Sequence, residues 1–288
     1  MNSLVTPASN ARQALGAALD ALQAARIETP RLDAELLLAE ATGSDRAALI
    51  VDGEVPAAAA RRFGEMVRRR LRREPVAYIV GRKGFRNIEL AVDRRVLIPR
   101  PETELLVELA LELRPASVLD VGTGSGAIGL AIADELPDCA VTATDTSPRA
   151  LEVARANAER LGHAARVRFL DGTLPEAGDF DLVLANLPYV AERDWPALQP
   201  EVTQWEPPEA LLAGPDGLDA YRSFIPACGR DLASYAGRTS TTLAVEVGEG
   251  QADAVAALME EAGFGESETR RDLAGIERVV VGRVGEAA

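Results

Sequence analysis

The sequence predicts an α/β fold in which a small N-terminal helical bundle is joined by a β-hairpin to a doubly wound parallel sheet. Residues up to about 75 are rich in Ala, Leu and Arg, with apolar positions at helical spacing. From residue 103 onward, short apolar runs alternate with helical segments, which is typical of parallel strands with right-handed crossovers. We therefore predict a bundle over residues 1–75, a hairpin linker over 76–100 and an α/β domain over 101–288.

The composition is that of an ordinary globular protein, with 47% hydrophobic and 26% charged residues. No run approaches the ~20 apolar residues of a membrane span, and the N-terminus lacks a signal-peptide pattern, so we expect a cytoplasmic protein without membrane contact. Cys139 and Cys228 lie far apart and His163 is the only histidine, so we expect neither a disulfide framework nor a metal site. The net charge of −14 argues against direct nucleic-acid binding.

Capping signals divide the first region into helices. Thr29-Pro30 predicts a helix that ends at Gly43, Ser44 can cap a second helix, and Pro56 starts a third. The third helix is rich in arginine: Arg61, Arg62, Arg68, Arg69, Arg70, Arg72 and Arg73. These arginines form either a solvated helix face or a docking surface for an acidic or RNA-like partner, and the sequence leaves both interpretations open.

The hairpin is predicted from two β-like runs, Ile88–Val92 and Val96–Ile98, which are separated by charged residues. The segment Ile98-Pro-Arg-Pro-Glu-Thr-Glu104 follows, where the prolines stiffen the backbone and the glutamates favour a helix N-terminus. This segment would also lie in front of any ligand held by the next turn of the chain.

The α/β region alternates regularly. We predict strands over 117–120, 140–144, 167–170, 182–185, 243–247 and 277–282, and helices over 103–113, 127–136, 148–161 and 251–262. In such open sheets, ligands bind at the carboxyl ends of the strands.

A glycine-rich turn, Asp120-Val-Gly-Thr-Gly-Ser-Gly126, follows the first strand and predicts a cofactor site. Asp145 ends the second strand and can accept hydrogen bonds from ribose hydroxyls, while Asp171 ends the third strand and can hold the adenine edge or its amine. The candidate cofactor-binding residues are Gly122, Thr123, Gly124, Ser125, Gly126, Asp145, Asp171 and Gly172. The glycine pattern fits both NAD and S-adenosylmethionine, so an NAD-dependent oxidoreductase must be considered.

The fourth strand favours S-adenosylmethionine. It ends in Asn186-Leu187-Pro188-Tyr189, where the Asn offers an amide donor and a carbonyl acceptor and the Tyr offers a flat ring. This combination suits a planar, weakly nucleophilic nitrogen such as an amide or an exocyclic amine, although a plain strand-to-loop turn is the simpler interpretation. We find no His, Lys or Tyr arrangement suited to the proton handling of hydride transfer around these strand ends.

Several segments together resemble the HemK/PrmC protein-(glutamine N5) methyltransferases, which modify peptide chain release factors. The segments are 74–79, 96–104, 120–126, 186–189, 206–207, 214–221, 246–248 and 272–275. The Ile-Pro-Arg-Pro-Glu-Thr segment is far more specific than the glycine turn. One departure from the family is Leu187, which stands where the family usually has Pro and so lacks the fixed φ of that residue.

The resemblance implies a Rossmann-like fold of the class I S-adenosylmethionine-dependent methyltransferases, with that cofactor and no metal. It implies methyl transfer to the glutamine of the Gly-Gly-Gln loop in release factors, with the N-terminal bundle gripping the protein substrate. Asn186 would contact both cofactor and substrate: its side-chain oxygen and the Leu187 carbonyl would each accept one N–H of the substrate amide. Pro188 and Tyr189 would pack on the flat amide.

Other functions remain open at this point. An adenine-N6 nucleic-acid methyltransferase would use the same Asn-x-Pro-Tyr logic, and a ribosomal-protein glutamine methyltransferase would use the same chemistry. A third possibility is a non-catalytic protein that retains the adenosyl site. Trp195 and Trp205 lie in a Pro-rich segment over 191–217, which we interpret as a substrate-side loop or as core, and we assign Glu246 a structural role.

Overall fold

The structure, a computed structural model, describes residues 10–44, 54–175, 180–234, 241–265 and 267–284. The helices are α1 Ala11–Ala24, α2 Pro30–Thr42, α3 Ala57–Leu71, α4 Val76–Val80, α5 Glu104–Leu113, α6 Ala127–Glu135, α7 Pro148–Leu161, α8 Pro200–Trp205, α9 Asp219–Ser234 and α10 Ala252–Glu261. The strands are β1 Arg82–Phe85, β2 Ile88–Ala91, β3 Ser117–Val121, β4 Ala140–Asp145, β5 Val167–Asp171, β6 Leu182–Ala185, β7 Thr241–Glu246, β8 Glu268–Arg271 and β9 Glu277–Val284. The helix predicted after Ser44 falls on residues outside the described ranges.

The chain divides into two compact units. The first contains the chain up to Gly81 together with the later segment Gln199–Trp205, and the second contains Arg82–Leu198 and the chain from Glu206 onward. No local pattern predicted that a short helix from the middle of the α/β region would belong to the first unit.

The first unit is a helical bundle. Helix α2 begins at Pro30 and ends at Gly43, whose φ of 67° is left-handed, so the predicted start and stop signals are confirmed. Leu22, Leu37 and Phe63, from α1, α2 and α3, are fully buried in its core. Most of the arginines of α3 pair with carboxylates of the same unit: Arg62 with Glu40, Arg68 with Glu65, Arg69 with Glu74, and Arg70 with Asp33 and Glu201. Arg73, just after the helix, also pairs with Glu201.

The second unit is built on a seven-stranded sheet with the strand order β5-β4-β3-β6-β7-β9-β8. Strands β3 to β7 run parallel, and β9 joins antiparallel to β7 and to β8. The predicted α/β fold with a doubly wound sheet is therefore confirmed. The strand order reverses between β3 and β6, which opens a crevice at their carboxyl ends.

The predicted hairpin is partly wrong. Ile88–Ala91 is a strand, but its partner is β1, with Phe85 opposite Ile88, and not the segment Val96–Ile98. Strand β1 was missed because Arg82-Lys-Gly-Phe85 has a single apolar residue and no alternation. Val96 and Ile98 are buried, which accounts for the apolar pattern of the segment 96–98. Neither residue joins a sheet.

Two further elements were not predicted. Strand β8 is an exposed edge strand of charged and polar residues, so it lacks the apolar signal of a buried strand. Helix α9 contains Pro226, which interrupts the helical pattern of the sequence. Within the part of the chain that the structure describes, no helix combines the length and the apolarity needed to cross a membrane.

Candidate active site

One cavity lies at the carboxyl edge of the sheet in the second unit, where β3, β4 and β6 end. Its lining includes nine of the residues predicted from the sequence: Gly122, Thr123, Gly124, Ser125, Asp145, Gly172, Asn186, Leu187 and Pro188. Gly126, Asp171 and Tyr189 were also predicted but do not line this cavity. The segment before α5 contributes Pro99, Arg100 and Thr103 to the lining of this cavity. It therefore borders the same space as the glycine turn.

The glycines of the turn are required by geometry. Gly122, Gly124 and Gly126 have φ angles of 72°, 56° and 87°, a region that side chains other than glycine rarely adopt. A Cβ on Gly126 would lie 2.6 Å from the Leu130 side chain, and one on Gly122 would lie 3.3 Å from the Asn186 carbonyl oxygen. The turn therefore packs directly against the end of β6.

Asp120 holds this turn from inside the protein. One carboxylate oxygen accepts hydrogen bonds from the Thr123 hydroxyl at 2.6 Å and the Gly129 N–H at 2.9 Å. Burial raises the pKa of Asp120 to about 6, although these two hydrogen bonds oppose the shift. Its other oxygen is buried and has no hydrogen-bond partner among the described residues.

Asp145 combines a structural and a binding position. Its two oxygens accept hydrogen bonds from the Gly124 N–H at 2.9 Å and the Ser147 N–H at 2.8 Å, which fixes the turn against the end of β4. Burial raises the pKa of Asp145. A carboxylate has about four acceptor positions, so Asp145 keeps capacity for hydroxyl groups in the cavity that it lines.

Asp171 lies beside Asp145, since the two residues are register partners on β5 and β4. Its side chain is exposed, and Gly172 follows it with a φ of 110° and donates its N–H to the Asp145 carbonyl at 3.0 Å. Gly172 lines the cavity, whereas Asp171, at the end of the sheet's edge strand β5, does not. The adenine contact of Asp171 stays a prediction.

Asn186 is the polar residue at the end of β6. Its Nδ2 donates to the Thr103 hydroxyl at 3.0 Å, and its side chain lines the cavity. One N–H of the amide is therefore used by the protein, and the side-chain oxygen remains as an acceptor for a ligand. Thr103 was part of a motif seen in the sequence, but nothing in that motif indicated its contact with residue 186, because the two residues are 83 positions apart.

Leu187 shows how the chain accommodates the departure from Pro. Its side chain is buried in the same apolar cluster as Val121, Val183 and Tyr221. Hydrophobic packing therefore anchors this position, whereas proline would restrict φ covalently.

Tyr189 is not among the residues that line the cavity. Its hydroxyl donates to the Glu246 carboxylate at 3.4 Å, and burial raises the pKa of Tyr189. Its carbonyl accepts from the Gln251 amide at 2.9 Å, so the end of the motif is tied to the start of α10. The predicted stacking of Tyr189 on a substrate amide stays a prediction.

Glu206 supports the cavity from the other side. It is buried, and its carboxylate accepts from the Ile98 N–H at 3.0 Å and forms an ion pair with Arg100. Because Arg100 and the neighbouring Pro207 line the cavity, this pair fixes part of its wall. Both residues lie in segments that carry the family resemblance, but neither charge was predicted to have a role.

Comparisons with known proteins agree with this architecture. Residues 13–81 match the family model "PrmC N-terminal domain", and residues 101–202 match "Methyltransferase small domain". A release factor glutamine methyltransferase of Geobacter sulfurreducens is 44% identical over 90% of this chain and 91% of its own length. That of Caulobacter vibrioides is 42% identical over 92% and 93%.

This chain belongs to the release factor glutamine methyltransferase family. The resemblance inferred from its motifs is confirmed, and the chain is an S-adenosylmethionine-dependent methyltransferase. Among solved structures, the human Mettl16 catalytic domain aligns with a TM-score of 0.55 at 14% identity, over 69% of this chain and 77% of that one. A methyltransferase of Pyrococcus furiosus aligns with a TM-score of 0.52 at 17% identity, over 70% and 92%. At these identities the two structures support the fold alone.

The cavity fits S-adenosylmethionine by the chemistry of its donors and acceptors. The glycine turn lets backbone approach a ligand closely, and Asp145 supplies acceptors suited to ribose hydroxyls.

Proposed function

We propose that this protein transfers a methyl group from S-adenosylmethionine to the side-chain amide nitrogen, N5, of the glutamine in the Gly-Gly-Gln loop of peptide chain release factors. The observation that carries the proposal is the orientation of Asn186, whose Nδ2 is bound to Thr103 and whose oxygen is left for a ligand. The names of the related proteins support a release factor as the substrate.

The chemistry requires that a poor nucleophile be positioned well. An amide nitrogen reacts weakly because its lone pair is delocalised into the carbonyl group. Two acceptors, the Asn186 side-chain oxygen and the Leu187 carbonyl, would each accept a hydrogen bond from one N–H of the substrate amide. This would make the nitrogen more electron-rich and hold it in one orientation.

S-adenosylmethionine supplies a methyl group that is already activated on a sulfonium, so the protein needs no strong general base. Its residues bind and orient the reactants: Asp145 and the glycine turn would hold the adenosyl part, and Asn186 the amide. Pro188 presents an apolar wall at the same edge. We assign the first unit the role of binding the release factor. It would do so through the surface of α3 that the ion pairs within the unit do not cover.

The decisive experiment compares substrates. The purified protein is incubated with methyl-labelled S-adenosylmethionine and a release factor, its Gly-Gly-Gln variant carrying Ala in place of Gln, a mixture of ribosomal proteins, and duplex DNA. We expect label on the unmodified release factor only, and mass spectrometry of the loop peptide should place one methyl group on the glutamine amide. Label on DNA or on ribosomal proteins instead would overturn the proposal.

A further inference from the structure

The amide side chain of Gln251 joins three separate segments at the carboxyl edge of the sheet. Its Nε2 donates to the Tyr189 carbonyl at 2.9 Å and to the Gly217 carbonyl at 3.3 Å. Its Oε1 accepts from the Gly248 N–H at 3.0 Å. Gln251 lies at the N-terminus of α10 and is not among the residues that line the cavity. One side chain therefore holds the end of the segment 186–189, the loop before α9 and the loop after β7.

The chemistry of these partners fixes which end of the Gln251 amide faces which segment. A backbone N–H can only donate and a backbone carbonyl can only accept, so Oε1 must face Gly248 and the NH₂ group must face the two carbonyls. Gln251 also donates its own backbone N–H to the Gly248 carbonyl at 3.1 Å, which holds the base of the side chain in place. All the polar atoms of the amide are thus used by the protein.

Two glycines allow the backbone to approach this amide closely. A Cβ on Gly217 would lie 2.4 Å from the Tyr189 carbonyl oxygen and 2.8 Å from the Gln251 Nε2. A Cβ on Gly248 would lie 2.9 Å from the Gln251 Oε1 and 3.1 Å from the Tyr189 Cδ2. The backbone at Tyr189 is therefore closely packed against the two loops that Gln251 binds to it.

The Tyr189 carbonyl is close along the chain to the Leu187 carbonyl, which the proposed function treats as an acceptor. Only Pro188 separates the two residues, and its ring fixes one of the dihedral angles between them. Leu187 has no such ring, so its own backbone must be restrained by contacts. At the other end of the segment, the Asn186 carbonyl packs against the glycine turn at Gly122. Holding the Tyr189 carbonyl therefore restrains the direction of the Leu187 carbonyl.

We propose that Gln251 is a positioning residue for methyl transfer: by holding the Tyr189 carbonyl, it fixes the backbone that presents the Leu187 carbonyl to the substrate amide. The inference rests on the proposed function, in which the Leu187 carbonyl accepts a hydrogen bond from that amide. It gives the start of α10, which the sequence predicted only as a helix, a role in the reaction.

Two substitutions of Gln251 test the proposal. Gln251→Leu removes the whole amide at similar volume, and Gln251→Glu keeps an acceptor for the Gly248 N–H but loses both donors to the carbonyls. In both variants we expect kcat for release factor methylation to fall about tenfold or more, because the substrate amide is oriented less well. The KM for the release factor and the Kd for S-adenosylmethionine should change less than about threefold. A wild-type kcat in Gln251→Glu, or a loss confined to KM or Kd, would overturn the proposal.

Met259→Ala is the control for general loosening of α10. Met259 is fully buried further along the same helix, where a Cβ on Gly282 would lie 2.9 Å from its Sδ. This variant should lower the urea unfolding midpoint at least as much as Gln251→Leu, since it leaves a cavity. Its kcat per folded molecule should stay within about threefold of the wild-type value. A loss of kcat like that of Gln251→Leu would show that any weakening of α10 slows the reaction, which would contradict a specific role of Gln251.

Amide hydrogen exchange measures the restraint without the reaction. The Tyr189 carbonyl and the Val190 N–H belong to one peptide unit, and that N–H donates to the Leu211 carbonyl at 2.8 Å. Releasing the carbonyl lets the unit rotate, so the Val190 N–H should exchange about tenfold faster in Gln251→Leu and at the wild-type rate in Met259→Ala.

The exchange result separates this inference from the proposed function. Faster exchange in Gln251→Leu would support the restraint even if the wild-type protein methylated no release factor, an outcome that would instead refute the proposed substrate. Unchanged exchange at Val190 in Gln251→Leu would overturn the inference whatever the substrate.

Discussion

At the scale of single residues, the site depends on side chains whose hydrogen-bonding capacity is only partly used by the protein. Asn186 gives its donor to Thr103 and keeps its oxygen, and Asp145 accepts two backbone N–H groups and keeps further acceptor positions. Unused capacity at a cavity surface is what a ligand can occupy. The two residues differ in which ligand they would serve, and substitution should separate them.

Asn186→Ala should reduce kcat by ~10² or more while the Kd for S-adenosylmethionine stays within a few-fold, because orientation of the substrate amide is lost. Single-turnover methylation and calorimetric cofactor titration measure the two quantities. Asn87→Ala, at an exposed asparagine of the β1–β2 loop, is the matched control and should retain the rate. Full turnover by Asn186→Ala would refute the amide clamp.

Asp145→Ala should have the reverse profile. Loss of a charged acceptor and of its bonds to the Gly124 and Ser147 N–H groups should weaken cofactor binding by roughly 10- to 100-fold. At saturating cofactor, kcat should recover to within a few-fold of the wild-type value. Unchanged cofactor affinity would contradict the assignment of Asp145.

Glu246 predicts a pH dependence of stability. Burial raises its pKa from 4.5 to about 7, so the folded state binds this proton more tightly than the unfolded state. The contribution of Glu246 to the free energy of unfolding therefore falls as pH rises from about 4.5 to 7, by roughly 3 kcal/mol in total. The groups facing it are Thr103, Tyr189, Glu102 and Arg278.

Glu246→Gln removes this titration. The stability difference between variant and wild type, from urea unfolding at about pH 5 and pH 8, should shift in favour of the variant at the higher pH, by up to roughly 3 kcal/mol. The exposed Glu261→Gln serves as control and should show no such shift. A pH-independent difference for Glu246→Gln would contradict the raised pKa.

At the scale of elements, the glycine turn is held by a residue that lies outside the cavity lining. Asn157 on α7 is completely buried, donates to the Ser125 carbonyl at 2.9 Å and exchanges two hydrogen bonds with the backbone of Ala91. One side chain thus connects the β-hairpin, α7 and the turn. Every polar atom of its amide is used, which is typical of a buried group that specifies a single packing arrangement.

Asn157→Ala should destabilise the fold by about 2–4 kcal/mol, because it leaves backbone groups of Ala91 and Ser125 unsatisfied and opens a cavity. Asn157→Asp should cost at least as much, since it places a carboxylate against two carbonyl oxygens. Urea unfolding midpoints measure both changes. A neutral Asp variant would show that the assigned orientation of the amide is wrong.

At the scale of the whole molecule, arginine side chains are paired with carboxylates. The chain carries a net charge of −14, yet α3 is rich in arginine. Arg70 is buried between Asp33, at 2.6 Å, and Glu201, at 2.7 Å, residues that are distant in sequence but belong to the same unit. The ion pair between Arg70 and Glu201 connects helix α8 to the rest of the first unit.

Arg70→Ala should destabilise the first unit by about 3–5 kcal/mol, because the buried Asp33 loses its ion-pair partner and the buried Glu201 keeps only Arg73. Arg68→Ala removes an exposed pair with Glu65 from the same helix and should change stability by less than about 1 kcal/mol. Thermal and urea unfolding compare the two variants. Similar effects of both substitutions would contradict the distinction between buried and exposed pairs.

The sequence by itself determined the α/β fold, most of the parallel strands and the family. The spacing of apolar residues, the glycine-rich turn and the short motifs are local signals that can be seen without the structure. The strand Leu182–Ala185 and the helix Pro148–Leu161 were predicted to the residue. Tertiary structure alone decided the partner of Ile88–Ala91, the placement of α8 and the contact of Thr103 with Asn186. Each of these depends on contacts between residues far apart in sequence, which no local pattern encodes.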